Sequence, residues 1–119
     1  MISGTNAGAL QATFRALADP TRRNIIDLLS DSERTVGEVA VHFEMTRAAV
    51  KKHLVVLEEG GIVVSRTRGR ECINRLEPTA LKRAVDWLNH FDRFWDDRFE
   101  ALREALEEDD IQQEDKDNG

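Results

Sequence analysis

The sequence predicts a mainly α-helical domain that carries one small β-hairpin. Three observations predict it. Apolar residues recur at intervals of three and four through most of the chain, which is the helical period. The stretch from Ile62 to Leu76 is instead rich in β-branched residues and is divided by Arg68-Gly69, a two-residue turn signal. Helix-starting and helix-stopping residues (Asp19-Pro20, Thr35 with Glu38, Thr46, Gly60-Gly61) cut the helical part into short pieces.

Residues 1–8 are small and polar, and a flexible N-terminus is expected there. Leu10, Phe14 and Leu17 share one face of a first helix. Asp19 suits an N-cap and Pro20 the first helical position, so a second helix starts at Pro20, with Ile25, Ile26, Leu28 and Leu29 on its core side. Ser30-Asp31-Ser32 ends it. Thr35-Val36-Gly37-Glu38 matches the capping box, in which the Thr and Glu side chains satisfy each other's backbone donors. A short helix follows, with Val36, Val39, Ala40 and Phe43 inward, and the Phe43–Thr46 turn leads into the next.

That next helix has two faces. Val50, Leu54 and Leu57 make an apolar stripe, and Arg47, Lys51 and Lys52 lie off it. Gly60 or Gly61 supplies a left-handed cap. Strands over 62–67 and 71–76, joined at Arg68-Gly69, complete a hairpin with arginines near its tip. Two short helices joined by a tight turn and followed by such a hairpin form a winged helix-turn-helix, in the order α-α-α-α-β-β-α.

Pro78 opens a last, long helix to about Leu106. Leu81, Ala84, Leu88, Phe91, Trp95, Phe99, Leu102 and Leu106 recur along it at the spacing of a helix-pair seam, and Trp87 and Phe94 add a second strip. Such a helix is about 40 Å long. One small domain does not cover both strips over that length. A homodimer is therefore expected, with an interface at Leu10, Phe14, Leu81, Leu88, Phe91, Trp95, Phe99 and Leu102. The expected organisation is one DNA-binding and dimerisation domain over 9–106 and a disordered acidic tail over 107–119.

The net charge of −6 argues against a nucleic-acid partner until its distribution is read. Residues 107–119 hold seven acids and one lysine, so they account for the whole imbalance. Residues 46–75 hold seven bases against three acids, and phosphate responds to that local field. Thr46, Arg47, Ala48, Ala49, Lys51 and Lys52 are the expected DNA-binding residues of the basic helix. Small alanines let its backbone approach base edges, Arg47 suits a bidentate guanine contact, and the lysines suit phosphate. Arg68 and Arg70 on the hairpin suit a narrow minor groove, with Arg66 a weaker candidate. Arg22 and Arg23 suit phosphate or a structural role equally. His53 beside the apolar stripe reads as a partly buried structural histidine.

No nucleophile–base constellation, Gly-rich phosphate loop or metal cluster stands out, so neither an enzyme nor a cofactor is expected. The single cysteine, Cys72, has no intramolecular disulfide partner, and the N-terminus lacks a basic-then-apolar leader. A cytoplasmic protein without a membrane segment is expected.

From Phe14-Arg15-Ala16-Leu17-Ala18-Asp19-Pro20-Thr21-Arg22, through Ala49-Val50-x-x-His53-Leu54-x-x-Leu57, to Gly69-Arg70-Glu71, the chain resembles ArsR/SmtB-type transcriptional repressors, over about residues 9–106. The last helix, with Trp87-Leu88 and Phe94-Trp95, resembles a metal-independent branch. The resemblance implies a homodimer that binds an inverted-repeat operator and represses its own or neighbouring genes, with the effector unspecified. Metal-sensing members carry a Cys-x-Cys pair where this chain has Thr35 and Gly37, which offer no thiolates. Many relatives have an aromatic where Asn74 stands. The competing reading is an interaction module that kept the fold without binding DNA, its basic patch masked by the acidic tail.

Overall fold

The structure is a computed structural model that describes residues 4–118, and the side chains of residues 8–94 and 96–108. In chain order the elements are α1 (Gly4–Leu17), α2 (Pro20–Asp31), β1 (Arg34–Thr35), α3 (Val36–Phe43), α4 (Arg47–Glu59), β2 (Val63–Arg68), β3 (Glu71–Leu76), α5 (Thr79–Asn89) and α6 (Asp92–Asn118). The expected winged helix-turn-helix is present. The chain divides into two compact units, one up to Val85 and one from Asp86.

In the first unit each expected start signal works through a specific bond. Asp19 caps α2 by accepting the Arg22 N–H at 3.0 Å. Thr35 and Glu38 form the reciprocal capping box of α3, at 3.1 and 3.2 Å. Thr46 caps α4 through the Ala49 N–H at 3.1 Å. Between α3 and α4, Glu44 takes a left-handed conformation (φ 54°), which returns its N–H to the Ala40 and Val41 carbonyls.

The core gathers one stripe from each element. Ile25, Val39, Val50, Leu57 and Ile62 are fully buried, joined by Leu28, Leu29, Leu54, Val63 and Ala80. Each large aliphatic side chain of this kind contributes about 1.5–3 kcal/mol by leaving water.

The hairpin β2–β3 gains a third strand that the sequence does not announce. Its order is β1-β3-β2, with Arg34 opposite Asn74 and Thr35 opposite Ile73. A two-residue strand is too short to show alternation. It explains Asn74, which is buried. The Asn74 amide accepts from Ser65 Oγ at 2.7 Å and donates to the Arg34 and Cys72 carbonyls at 3.3 and 3.4 Å. An amide in place of an aromatic is thus satisfied on both sides.

Several boundaries differ from the sequence reading. Arg68 pairs with Glu71, so the hairpin turn is Gly69-Arg70 rather than Arg68-Gly69. Positive φ at Gly69 (63°) and not at Arg70 is the pattern of a II′ turn. The single helix expected from Pro78 to Leu106 is two helices, broken at His90-Phe91. There the Phe91 N–H turns back to the Leu88 carbonyl at 3.1 Å, a tightening that Asn89 and Asp92 favour through their poor helix propensity. Apolar spacing runs straight across the break and hides it. Helical backbone also begins at Gly4, inside the stretch expected to be flexible, and continues through residues 107–118, where a disordered acidic tail is expected. Glu and Gln are good helix formers, and low hydrophobicity alone does not forbid a helix.

α4 is tied to α1 through Gly60. A β-carbon there would lie 2.9 Å from the Ala12 carbonyl oxygen and 3.0 Å from the Ala16 β-carbon. The Thr13 hydroxyl donates to the Gly60 carbonyl at 2.8 Å across the same contact. Gly61, with φ 75°, supplies the left-handed residue. Gly60→Ala is therefore expected to destabilise the first unit by about 1–3 kcal/mol, the range for overpacking a close contact. Urea denaturation checks it, and an unchanged midpoint contradicts the contact.

Candidate nucleic-acid interface

α4 presents a helix surface whose inner stripe is locked. Val50, Leu54 and Leu57 are 0%, 4% and 0% exposed. Thr46, Arg47, Ala48, Lys51 and Lys52 are exposed on the other side, and Ala49 is half-buried. Ala48, Lys51 and Lys52 share a face with Val55, which is 50% exposed. Val55 is not among the DNA-binding residues expected from the sequence, because an apolar side chain off the core stripe carries no charge to mark it. Its spacing of four from Lys51 and three from Lys52 is the signal that finds it.

The hairpin projects Arg68 and Arg70 at its tip, both exposed. Arg68 lies 3.9 Å from Glu71 across the turn. Arg66, also expected at DNA, is placed differently. Its guanidinium makes a two-pronged pair with Glu33, both bonds 2.9 Å, and so ties β2 to the segment before β1. That bond holds the Glu33 carboxyl below the ordinary 4.5, aided by the positive charges of Arg66, Arg68 and Arg75. Arg75 pairs with Glu77 at 3.4 Å.

Arg22 and Arg23 resolve to structural roles. Arg22 donates to the Ala16 and Arg15 carbonyls at 2.8 and 2.9 Å, and Arg23 donates to the Leu17 carbonyl at 2.6 Å. They satisfy the open carbonyl end of α1. His53 is partly buried, with Nδ1 at 3.5 Å from Arg22 Nη1 and 4.0 Å from Asp19 Oδ2. Asp19 is held below its ordinary 3.8 first by the Arg22 N–H bond and then by the charges of Arg22 and His53.

The cations of residues 46–75 thus fall into two sets. Arg66, Arg68 and Arg75 have carboxylate partners. Arg47, Lys51, Lys52 and Arg70 form no ion pair among the described residues. Arg47 lies back along α3. A β-carbon added at Gly37 would be 2.9 Å from Arg47 Nη2 and 3.2 Å from its Cζ. Beside it a cleft of about 240 Å³ is lined by Thr35, Val36, Gly37, Arg47, Lys51, Arg70, Glu71 and Cys72.

Of the residues expected at a dimer interface, Leu10 and Phe14 are half-buried on α1, and Leu81 is half-buried against the first unit's own core. In the second unit Phe91, Phe99 and Leu102 are 41–63% exposed, and Leu88 at the end of α5 is 46% exposed. The Trp95 side chain lies outside the described residues. Trp87 and Phe91 stack edge to face at 5.1 Å.

Residues 19–65 match the family model described as bacterial regulatory protein, arsR family. The transcriptional repressor SdpR of Bacillus subtilis (strain 168) is 32% identical over 78 residues, 66% of this chain and 87% of that protein. The transcriptional activator HlyU of Vibrio cholerae is 27% identical over 84 residues, 71% of this chain and 78% of that protein. The solved structure of an ArsR-like transcriptional regulator from Rhodococcus sp. RHA1 superposes with a TM-score of 0.70 at 32% identity, covering 90% of this chain and 97% of that one.

The Glu33–Arg66 pair gives a pH signature. A carboxyl whose value is depressed by folding stabilises the fold above its unfolded value and ceases to do so as pH falls through the folded value. Glu33→Gln is expected to leave a shallower loss of thermal stability than the parent shows as pH falls below the ordinary carboxylate value of 4.5. Melting followed by circular dichroism checks it, and parallel acid limbs contradict it.

Proposed function

We propose that this chain, which belongs to the arsR family of bacterial regulatory proteins and is a DNA-binding transcriptional regulator, represses its own or neighbouring genes as a homodimer on an inverted-repeat operator. The observation that carries this reading is the sorting of cations. Those without a carboxylate partner among the described residues are Arg47, Lys51 and Lys52 of α4 and Arg70 of the wing turn, whereas Arg66, Arg68 and Arg75 of the strands are paired. Cations left unneutralised by the fold are available to displace counterions from a polyanion.

In this reading α4 enters the major groove, with Ala48, Ala49 and Val55 near base edges and Lys51 and Lys52 on phosphates. Thr46 both caps the helix and sits where the strand passes. Arg68 and Arg70 take the wing to the minor groove. Arg66 serves from behind, by fixing the strand that carries them.

Repression is the sign borne by SdpR's name, while HlyU is named an activator. In this reading the position of the operator relative to the promoter decides the sign. The homodimer is supported by the apolar side chains of the second unit, where Phe99, Leu102 and Leu106 remain 55–63% exposed. A contiguous apolar surface of that kind marks an interaction site. Two copies of α4 would then read half-sites whose centres lie about 34–36 Å apart. The place of action is the cytoplasm, with the DNA. Among the described residues no helix is long and apolar enough to cross a membrane. The reading requires no cofactor.

Purified protein is expected to retard a duplex from its own upstream region, with affinity falling steeply as salt rises. Lys51→Ala should weaken every duplex by a similar factor and reduce the salt slope by about one. No retardation at low salt on any promoter-proximal inverted repeat sinks the proposal. Leu102→Glu is expected to yield monomers in sedimentation velocity and to lose operator affinity while keeping the helical spectrum. A dimer that survives this substitution would place the contact elsewhere.

A further inference from the structure

We infer, on the reading just given, that the cleft between the start of α3, the start of α4 and the wing turn is a seat for one DNA backbone phosphate. Gly37 forms the seat by letting Arg47 fold into it. This reassigns Arg47, which the sequence alone suggests for a guanine.

Arg47 and Lys51 come from α4 and Arg70 from the wing, some twenty residues further on, yet all three line one cleft of about 240 Å³. None of them forms an ion pair among the described residues. The acid in the lining is Glu71, which lies 3.9 Å from Arg68. The Thr35–Glu38 capping box engages the Glu38 N–H of α3, and the side-chain cations supply the full charges that face the cleft.

The direction of Arg47 decides its partner. Its guanidinium does not project from the outward side of α4 with Ala48, Lys51 and Lys52. It lies along α3 over Gly37, so close that an added β-carbon would sit 2.9 Å from Nη2. A side chain laid back in this way is at the flank of the recognition surface, where a strand's backbone passes, and away from base edges. A guanidinium fork matches the two non-bridging oxygens of a phosphodiester. Three cations around one such group hold the strand in register between helix and wing without reading sequence.

Fluorescence anisotropy with the full-length protein tests this, on its own upstream duplex and on a scrambled one. Arg47→Ala is expected to weaken both by the same factor, to leave their ratio unchanged, and to reduce the salt slope by about one. Gly37→Ala keeps the charge and fills the seat. It should reproduce the loss, and the double variant should be no weaker than Arg47→Ala alone. Its melting temperature should not fall, because alanine favours the helix and the obstructing atoms are the far end of a flexible side chain. Scanning single methylphosphonate substitutions should find one position that costs the parent protein the Arg47→Ala factor and costs Arg47→Ala nothing.

Three results overturn the assignment. They are an Arg47→Ala variant that loses its preference between duplexes at unchanged slope, additive effects of Gly37→Ala and Arg47→Ala, and a scan with no such position. Inorganic pyrophosphate that displaces DNA beyond an ionic-strength-matched chloride control would also overturn it, by giving the cleft to a free anion. Parent protein that binds neither duplex at low salt overturns the operator reading itself, and this one with it.

Discussion

Everything the first unit presents depends on how α4 is held, and at each of its ends a glycine leaves room that a β-carbon would take. At its end, Gly60 lets the chain press on Ala12 and Ala16 of α1, with Thr13 bonded across. At its start, Gly37 gives Arg47 a place to lie along α3. Between them the Val50, Leu54 and Leu57 stripe fixes rotation about the helix axis. Position, rotation and tilt are thus set by separate contacts. A recognition surface needs all three, because a displacement of an ångström changes which base edges a side chain can reach.

The second constraint is the economy of charge. A chain with net −6 presents a basic surface only if its own acids are kept from neutralising it. The fold does this by giving acids near the wing specific partners. Glu33 takes Arg66, Glu77 takes Arg75 and Glu71 lies by Arg68. Each exposed pair adds little stability. Their value lies in position. The Glu33–Arg66 fork joins the wing strand to the approach to β1, on the opposite side of β3, and so resists bending of the hairpin relative to the helices.

Much of this was legible in the sequence, and the residues that were legible share a property. Asp19, Thr35, Glu38 and Thr46 act on backbone groups within three positions of themselves, so spacing alone reveals them. The buried stripe of α4 is legible for the same local reason. What the sequence hid depends on distant partners. Arg66 looks like any wing arginine until Glu33 is found beside it, 33 positions away. Asn74 looks like a defect until Arg34 is placed opposite it. The break at His90-Phe91 escaped because the apolar period continues across it. Gly60 looks like an ordinary helix cap and Gly37 like a spacer inside the capping box, yet both matter for having no side chain.

The position of Gly37 bears on how such a regulator can be switched. The metal-sensing proteins that this chain resembles place thiolates at the two positions held here by Thr35 and Gly37. Here Thr35 is committed to capping α3, and any side chain at position 37 would begin 2.9 Å from Arg47 Nη2. A ligating residue at that point and an arginine folded over it cannot occupy the same space. The two arrangements are therefore alternatives. One uses the start of α3 to bind an effector that alters α4, and the other uses it to seat an α4 side chain directly. In the second, nothing needs to be transmitted from the start of α3 to α4, because the two already share one contact. A signal that releases this protein from DNA would then have to act away from the start of α3.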